Sequence, residues 1–426
     1  MTLRVGIAGL GTVGGGVVKL LAAQAEIITA RAGQKIVVTA VSARSRRERD
    51  FSVEGLHWHD DPVALATDAN VDVVVELIGG SDGPAKKLAE AAIAAGKPFV
   101  TANKALLAMH GAALAAAAEA KGVAIAYEAA VAGGIPVIKV LREGLAGNNV
   151  SRVAGILNGT CNYILTTMRE EGRDFSEVLA DAQKLGYAEA DPSFDVDGID
   201  AAHKLAILAG LAFGARIDFA SLHIEGIRRI SDLDISFAQE LGYRIKLLGI
   251  AERTDAGISL RVHPAMVPES RPLATVDGVF NAVQLEGDYS GSVFLRGRGA
   301  GEGPTASAVV ADLIDIARGI KVPVWGQKAA SLAPAILQPM AAHEGAYFLR
   351  LMVVDQPGVL ADVTAILRDH GISLESMLQH GRKPGEAVPI VLVTHETREE
   401  AVSAALAGIA TLPSVLEAPA LIRIEP

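Results

Sequence analysis

The sequence predicts an α/β protein of two or three domains, and three observations carry that prediction. The chain has 426 residues, more than a single core of about 100–200 residues accounts for. Half of it is hydrophobic, with 4% aromatic residues and 44 glycines, a composition that suits small-residue helices laid tightly on a parallel sheet. Its first third alternates short apolar runs with longer Ala-rich segments, the rhythm of βαβ units.

In chain order, strands are expected at residues 3–9, 35–42, 71–78, 98–101 and 124–127, and helices at 14–30, 84–95 and 105–121. These define a first domain over 1–135, to which the chain is expected to return around 300–335. Residues 136–338 mix helices at 175–185 and 201–210 with alternating segments at 153–157, 259–263 and 279–286, and read as an α+β catalytic and dimerisation domain. Residues 338–345, with Pro339 and Gly345, read as a linker. A compact β-α-β-β-α-β pattern over 345–426 follows, the ferredoxin-like arrangement.

Charge and cysteine usage exclude several classes. A net charge of −10 without a long basic run offers nothing to nucleic acid or an anionic membrane. Cys161 is the only cysteine, so no intrachain disulfide forms. The N-terminus enters a strand with no leader pattern, and the uncharged stretch 105–118 falls short of the roughly 20 apolar residues of a membrane span. A cytoplasmic location is therefore expected.

The motif Gly9-Leu10-Gly11-Thr12-Val13-Gly14 follows a strand and opens a helix. In that setting the first glycine permits a tight turn, the second lets the backbone approach a pyrophosphate, and the third allows helix–strand packing. The helix N-terminus then faces phosphate, so a Rossmann-type dinucleotide site is expected at Gly9, Gly11, Thr12, Val13 and Gly14. NAD enzymes usually place an acid on the ribose about 20 residues later. Here the second strand leads instead into Ser42-Ala43-Arg44-Ser45-Arg46-Arg47, which favours NADP over NAD, with Arg44 a candidate ligand of the 2′-phosphate. The plainer alternative is a solvated basic turn answered by Glu48 and Asp50.

Further along stand Thr101-Ala102-Asn103-Lys104, residues 128–136 (EAAVAGGIP), Leu157-Asn158-Gly159-Thr160-Cys161-Asn162-Tyr163, Gly186-Tyr187-Ala188-Glu189-Ala190-Asp191-Pro192, and residues 197–205 (DGIDAAHKL). In composition, order and spacing these resemble the homoserine dehydrogenase family. The resemblance implies reversible NAD(P)H-dependent reduction of L-aspartate 4-semialdehyde to L-homoserine. Hydride delivery to an aldehyde leaves an alkoxide that needs a cationic acid beside it. The resemblance makes Lys204 that acid, puts Lys104 between nicotinamide and carbonyl, and sets Asp200, Asp195 and Glu189 around the substrate. It also implies substrate contacts from Asn158, Gly159, Thr160 and Tyr187, and a return to the cofactor at Gly301. Oxidation in the reverse direction needs the lysine neutral and is expected to favour high pH. Taken alone, Asp200 and Lys204 at i and i+4 are an ordinary surface helix pair, Lys104 an exposed loop lysine and Glu189 part of a polar turn.

The resemblance further implies a sodium ion held at Glu128, Val131, Gly133 and Ile135; a bare glycine hinge is the alternative. The histidines show no His-x-x-x-His or Cys/His spacing, so zinc is not expected. Cys161 raises a competing enzyme, a thiol-dependent semialdehyde dehydrogenase, but it falls in an Asn-Gly-Thr-Cys-Asn turn with no evident base. Another NADP-dependent aldehyde reductase and a non-catalytic amino-acid sensor are the remaining alternatives. The segment Asp355-Gln356-Pro357-Gly358-Val359 between strand and helix resembles an ACT domain. That implies an amino-acid effector, threonine by expectation, at Asp355, Gly358 and Val359, unless the module serves only assembly. A homo-oligomer, dimer or tetramer, is expected.

Overall fold

The computed structural model describes residues 2–380 and 384–425. Six parallel strands form the first sheet: β1 (Thr2–Ala8), β2 (Lys35–Ser42), β3 (His57–His59), β4 (Val73–Glu76), β5 (Phe99–Thr101) and β6 (Ile125–Ala126). Their order, β3-β2-β1-β4-β5-β6, reverses direction beside β1, so the crevice at its carboxyl end is where such sheets take ligands. Gly9 (φ 101°) makes the turn there, and a Cβ on it would sit 2.5 Å from the Leu77 carbonyl oxygen. A Cβ on Gly14 would approach the Gly9 carbonyl oxygen to 2.0 Å, whereas one on Gly11 meets nothing within 4 Å. The first and third glycines are thus required by packing, and the second leaves room for a ligand.

The long helix expected over 14–30 is instead two helices, Thr12–Ala23 and Ala25–Ala32, bent by 84° at Gln24. The apolar periodicity runs through the bend because both pieces pack on the same core. Among the described residues no single helix is long and apolar enough to cross a membrane. The expected strand at 71–78 shortens to β4, since residues 77–79 turn back over the Glu76 carboxylate, which accepts from the Ile78 and Gly79 amides. The chain does return to the first sheet: the Glu302–Ala317 helix packs on Thr12–Ala23.

The second sheet has 11 strands. Its main path runs Gly291–Arg298, Phe280–Gly287, Val150–Ile156, Tyr243–Thr254, Gly257–Pro268, Ala420–Ile424, Glu344–Val354, Ala387–Thr394 and Leu374–Gln379. Tyr243–Thr254, which the sequence reading passed over, pairs along its whole length with Gly257–Pro268. The last four strands of the path and two helices, Val359–Asp369 and Glu399–Ile409, form the expected ferredoxin-like module.

That module is not hung on a linker. Residues 338–345 are packed: Gln338 N–H donates to the Ile258 carbonyl at 2.9 Å and the next strand begins at Glu344. The last strand, Ala420–Ile424, pairs parallel with Gly257–Pro268 on one side and antiparallel with Glu344–Val354 on the other. A buried charge network crosses this seam. Arg423 donates to Glu225 at 2.8 Å and to Glu399 at 2.9 Å, and Glu425 accepts from Arg261 at 2.8 Å and Arg152 at 3.0 Å.

Removing one member of a buried charge pair leaves the other uncompensated, so Arg423→Ala is expected to cost about 3–5 kcal/mol in urea denaturation. Acid should act on the same seam. Burial, with Arg423 nearby, lowers His263 from 6.5 to about 3. Burial opposes ionisation of Glu425, but Arg261, His263 and Arg152 outweigh it and bring that carboxyl from 4.5 to about 2. Both values lie below those of the unfolded chain, so both groups stabilise above the unfolded values. That stability is lost as pH falls, from about 6.5 for His263 and from about 4.5 for Glu425. Unfolding free energy measured between pH 7 and 3 should therefore fall with acid, and a flat profile would contradict the network.

Candidate active site

Two segments that end strands deliver the site. At the end of β5, Thr101 Oγ1 donates to buried Glu76 at 2.6 Å, and Asn103 N–H donates to Thr101 Oγ1 at 2.9 Å. The Asn103 side chain caps the next helix through the Leu106 amide at 3.0 Å and ties to the Gly80 carbonyl at 2.7 Å. Lys104 is consequently the first residue of the Lys104–Lys121 helix, not part of a loop. An ammonium at a helix N-terminus opposes the macrodipole, so an acidic partner must hold it there.

That partner is Asp200. Lys104 Nζ lies 3.0 Å from Asp200 Oδ1, and Lys204 Nζ lies 2.7 Å from Asp200 Oδ2. Both Asp200 and Lys204 belong to the Ile199–Phe213 helix, which is buried on nearly every face, so the pair is no surface i, i+4 contact. Lys204 also donates to the Leu157 carbonyl at 2.7 Å. Burial alone would raise the Asp200 carboxyl, but Lys204, Lys104 and Asn158 hold it well below the usual range.

Asn158 ends the Val150–Ile156 crossing and caps the Gly159–Glu171 helix through the Cys161 amide. Its Nδ2 donates to Asp195 and to Asp200, both at 2.8 Å. Burial and the neighbouring Asp200 raise the Asp195 carboxyl. A Cβ on Gly159 would meet the Val279 carbonyl at 2.8 Å. Thr160 Oγ1 donates to the Tyr187 carbonyl at 2.7 Å, leaving the Tyr187 ring against Tyr163. Glu189 lies exposed on this tethered loop and, unlike Asp195 and Asp200, is not brought into the lysine cluster.

Cys161 stands in the first turn of a helix rather than in the expected turn. Its thiol is fully buried, donates to the Asp195 carbonyl at 3.2 Å, and is pushed well above its usual pKa by burial, Asp195 and Asp200. No part of this setting makes a thiolate nucleophile. Phe194, His203 and Phe219, to which the sequence assigns no role, stack in a row beside the cluster, with Lys104 Nζ 5.5 Å from the Phe194 ring centroid. Their spacing gave no periodic signal.

The glycine turn opens on a cleft of about 340 Å³ lined by Gly11, Thr12, Gly15, Lys19, Arg47 and Glu302, among others. Arg44 is exposed but does not line it; Arg47 does. Asp50 does not answer the arginines, since it pairs with Lys19 at 2.8 Å. Arg49 shapes the basic turn from within by donating to the Ser45 and Arg47 carbonyls at 2.6 and 2.7 Å. Thr12 and Val13 begin the helix behind the turn, and Gly301 (φ 112°) caps the returning helix beside it.

At the domain junction Ala132 (φ 55°) is the only non-glycine residue with positive φ among those described, and Gly133 (φ 46°) follows it. Glu128 caps the next helical turn by accepting from the Ile138 and Lys139 amides, both at 2.9 Å. Beside it lies buried Asp312, whose carboxyl burial and the Glu128 charge raise to about 7. Two buried carboxyls so incompletely answered by Lys139 and Arg142 fit a nearby cation. The oxygen-only set of Glu128 and the Val131, Gly133 and Ile135 carbonyls suits a hard one.

Residues 136–314 match the homoserine dehydrogenase family, 9–128 the homoserine dehydrogenase NAD binding domain, and 347–411 the ACT domain. The homoserine dehydrogenase of Pseudomonas aeruginosa is 48% identical over 430 residues, covering 99% of each chain. The chain belongs to the homoserine dehydrogenase family. It is an oxidoreductase with a nucleotide-binding domain, a catalytic domain and a C-terminal ACT domain. The Neisseria gonorrhoeae homoserine dehydrogenase is 46% identical over 429 residues, covering 99% of this chain and 98% of that one. The crystal structure of a homoserine dehydrogenase from Thiobacillus denitrificans superposes with a TM-score of 0.94 at 49% identity, over 100% of this chain and 98% of that one. A hyperthermophilic archaeal homoserine dehydrogenase in complex with NADPH matches with a TM-score of 0.65 at 27% identity, over 75% of this chain and 99% of that one.

Proposed function

We propose that the chain reduces L-aspartate 4-semialdehyde reversibly to L-homoserine, with Lys204 as general acid. The observation that carries this is the sharing of buried Asp200 by the ammonium groups of Lys104 and Lys204. An ammonium has three N–H bonds. Lys204 spends one on Asp200 and one on the Leu157 carbonyl, which leaves one for the substrate oxygen. Reduced nicotinamide, held at the Gly9–Gly14 turn, would supply the hydride to the aldehyde carbon. Lys204 gives its proton to the oxygen as negative charge develops there, while Lys104 polarises the same carbonyl and Asp200 holds both ammonium groups. Asp195 takes the substrate ammonium, and Asn158, Gly159, Thr160 and Tyr187 line the remainder.

The cofactor is NADP in this reading, with NAD as a poorer substitute, because the basic turn at Arg44–Arg47 has no ribose-binding acid and a relative is described in complex with NADPH. A sodium ion at Glu128, Val131, Gly133 and Ile135 braces the junction; replacing sodium with choline should then lower the melting temperature. The ACT module binds threonine in a cavity of about 300 Å³ lined by Asp355, Gly358 and Val359, whose helix N-terminus suits a carboxylate. Among the described residues Gly291–Arg298 and Leu374–Gln379 end the sheet path, and such edges support a homo-oligomer, dimer or tetramer, that sedimentation would reveal.

The decisive assay is NADPH loss with aspartate semialdehyde and no phosphate. Lys204→Ala is expected to lower kcat by at least about 100-fold with NADPH affinity retained, whereas Cys161→Ser should leave turnover nearly unchanged; the reverse pattern overturns the reading. Exchanging Arg44 and Arg47 together for Ala should raise KM for NADPH about tenfold and barely alter KM for NADH. Threonine titrated against the full chain should inhibit, and Asp355→Ala should blunt it; inhibition equal in both would remove the effector from this cavity.

A further inference from the structure

Among the described residues, one cluster of metal-ligating residue types lies outside the site described so far. His57 and His59 flank Trp58 on β3, the outer strand of the first sheet. Alternate strand residues face one side, and the two imidazoles converge there on Asp68, which comes from the loop between the Pro62–Ala66 turn and β4. His57 Nδ1 and His59 Nε2 each lie 2.8 Å from the same oxygen, Asp68 Oδ2. All three donor atoms fall within 4.8 Å of one another. Asp68 is 4% exposed, and the main chain fixes it: its Oδ1 accepts from the Asn70 amide at 2.8 Å and its carbonyl accepts Lys97 Nζ at 2.6 Å. His59 is 15% exposed and His57 58%, so solvent reaches one side of the cluster.

We propose that His57, His59 and Asp68 bind a divalent transition ion of the Zn²⁺ type, with water completing the coordination. The donor set is two imidazole nitrogens and one carboxylate oxygen, which suits zinc, nickel or copper and not magnesium or calcium. Around zinc, ligands at about 2.0–2.1 Å in a tetrahedron stand about 3.3 Å apart, so the two histidine–carboxylate contacts would open by about half an ångström. The cations nearby are Lys97, held by the Leu65 and Asp68 carbonyls, and Arg4, which Asp72 neutralises through contacts of 2.6 and 2.9 Å. Across the strand Trp58 faces the other way and carries the Arg46 and Arg49 guanidinium groups, 5.1 and 5.3 Å from its ring centroid. An ion at this position therefore braces the strand beneath the basic turn.

The test is calorimetric titration of ZnCl₂ into the untagged full chain, with MgCl₂ as control. One equivalent of Zn²⁺ is expected to bind at about pH 7.5. His57→Ala, at an exposed position, and His59→Gln should each weaken it at least tenfold while leaving the metal-free melting temperature within a few degrees. Binding unchanged in both variants, equal uptake of Mg²⁺, or a wild-type Kd above about 1 mM would each overturn the proposal.

Discussion

The site rests on one carboxylate placed where water cannot reach it. Asp200 is buried, and a buried charge persists only when opposite charges and hydrogen bonds answer it. Lys204 answers from the same helix, Asn158 from the strand end beside it, and Lys104 from across the junction with the nucleotide-binding sheet. The last contact matters most for architecture, because it joins the carboxyl edge of the nucleotide-binding sheet to the helix that carries Lys204 and Asp200. Glu76, Thr101 and Asn103 support it from below by fixing where the Lys104 helix begins.

A second constraint joins the C-terminal module to the rest. A strand shared by two modules cannot shift without breaking ladders on both of its sides, and here Ala420–Ile424 is that strand. Its Arg423 reaches Glu225, whose amide donates to the Val262 carbonyl at 2.7 Å. Two residues on, the Ile227 amide donates to the Val196 carbonyl at 2.9 Å, next to Asp195. A Cβ at Gly226 would stand 2.1 Å from that same carbonyl oxygen, so the backbones touch closely. The C-terminal ACT module and Asp195 are thus parts of one packed body.

Local pattern carried much of this protein. The glycine turn, the alternation of strands and helices, the placement of Lys104 at a strand end and the ordered motifs through residue 205 were all legible because each depends on residues a few positions apart. The same local logic misled where packing overrode it: a continuous apolar period hid the 84° bend at Gln24, and Pro339 with Gly345 suggested a linker where the chain is pinned to Ile258. His57 and His59 did leave a signal, two positions apart on a strand and so on one face, but a search for helical i, i+4 spacing passes over it.

By itself the sequence determined the kinds of domain, the turn that accepts a dinucleotide and the residue types available for proton transfer, since these follow from periodicity and short motifs. Only tertiary structure decided which of those residues carry uncompensated chemistry. It set Asp200 between two lysines, buried the Cys161 thiol, left Glu189 at the surface, turned Arg47 rather than Arg44 toward the cleft at the glycine turn and joined the catalytic and C-terminal strands into one sheet. The physical reason is the same throughout: burial and long-range electrostatics depend on what lies nearby in space, and no local pattern of residue types specifies that.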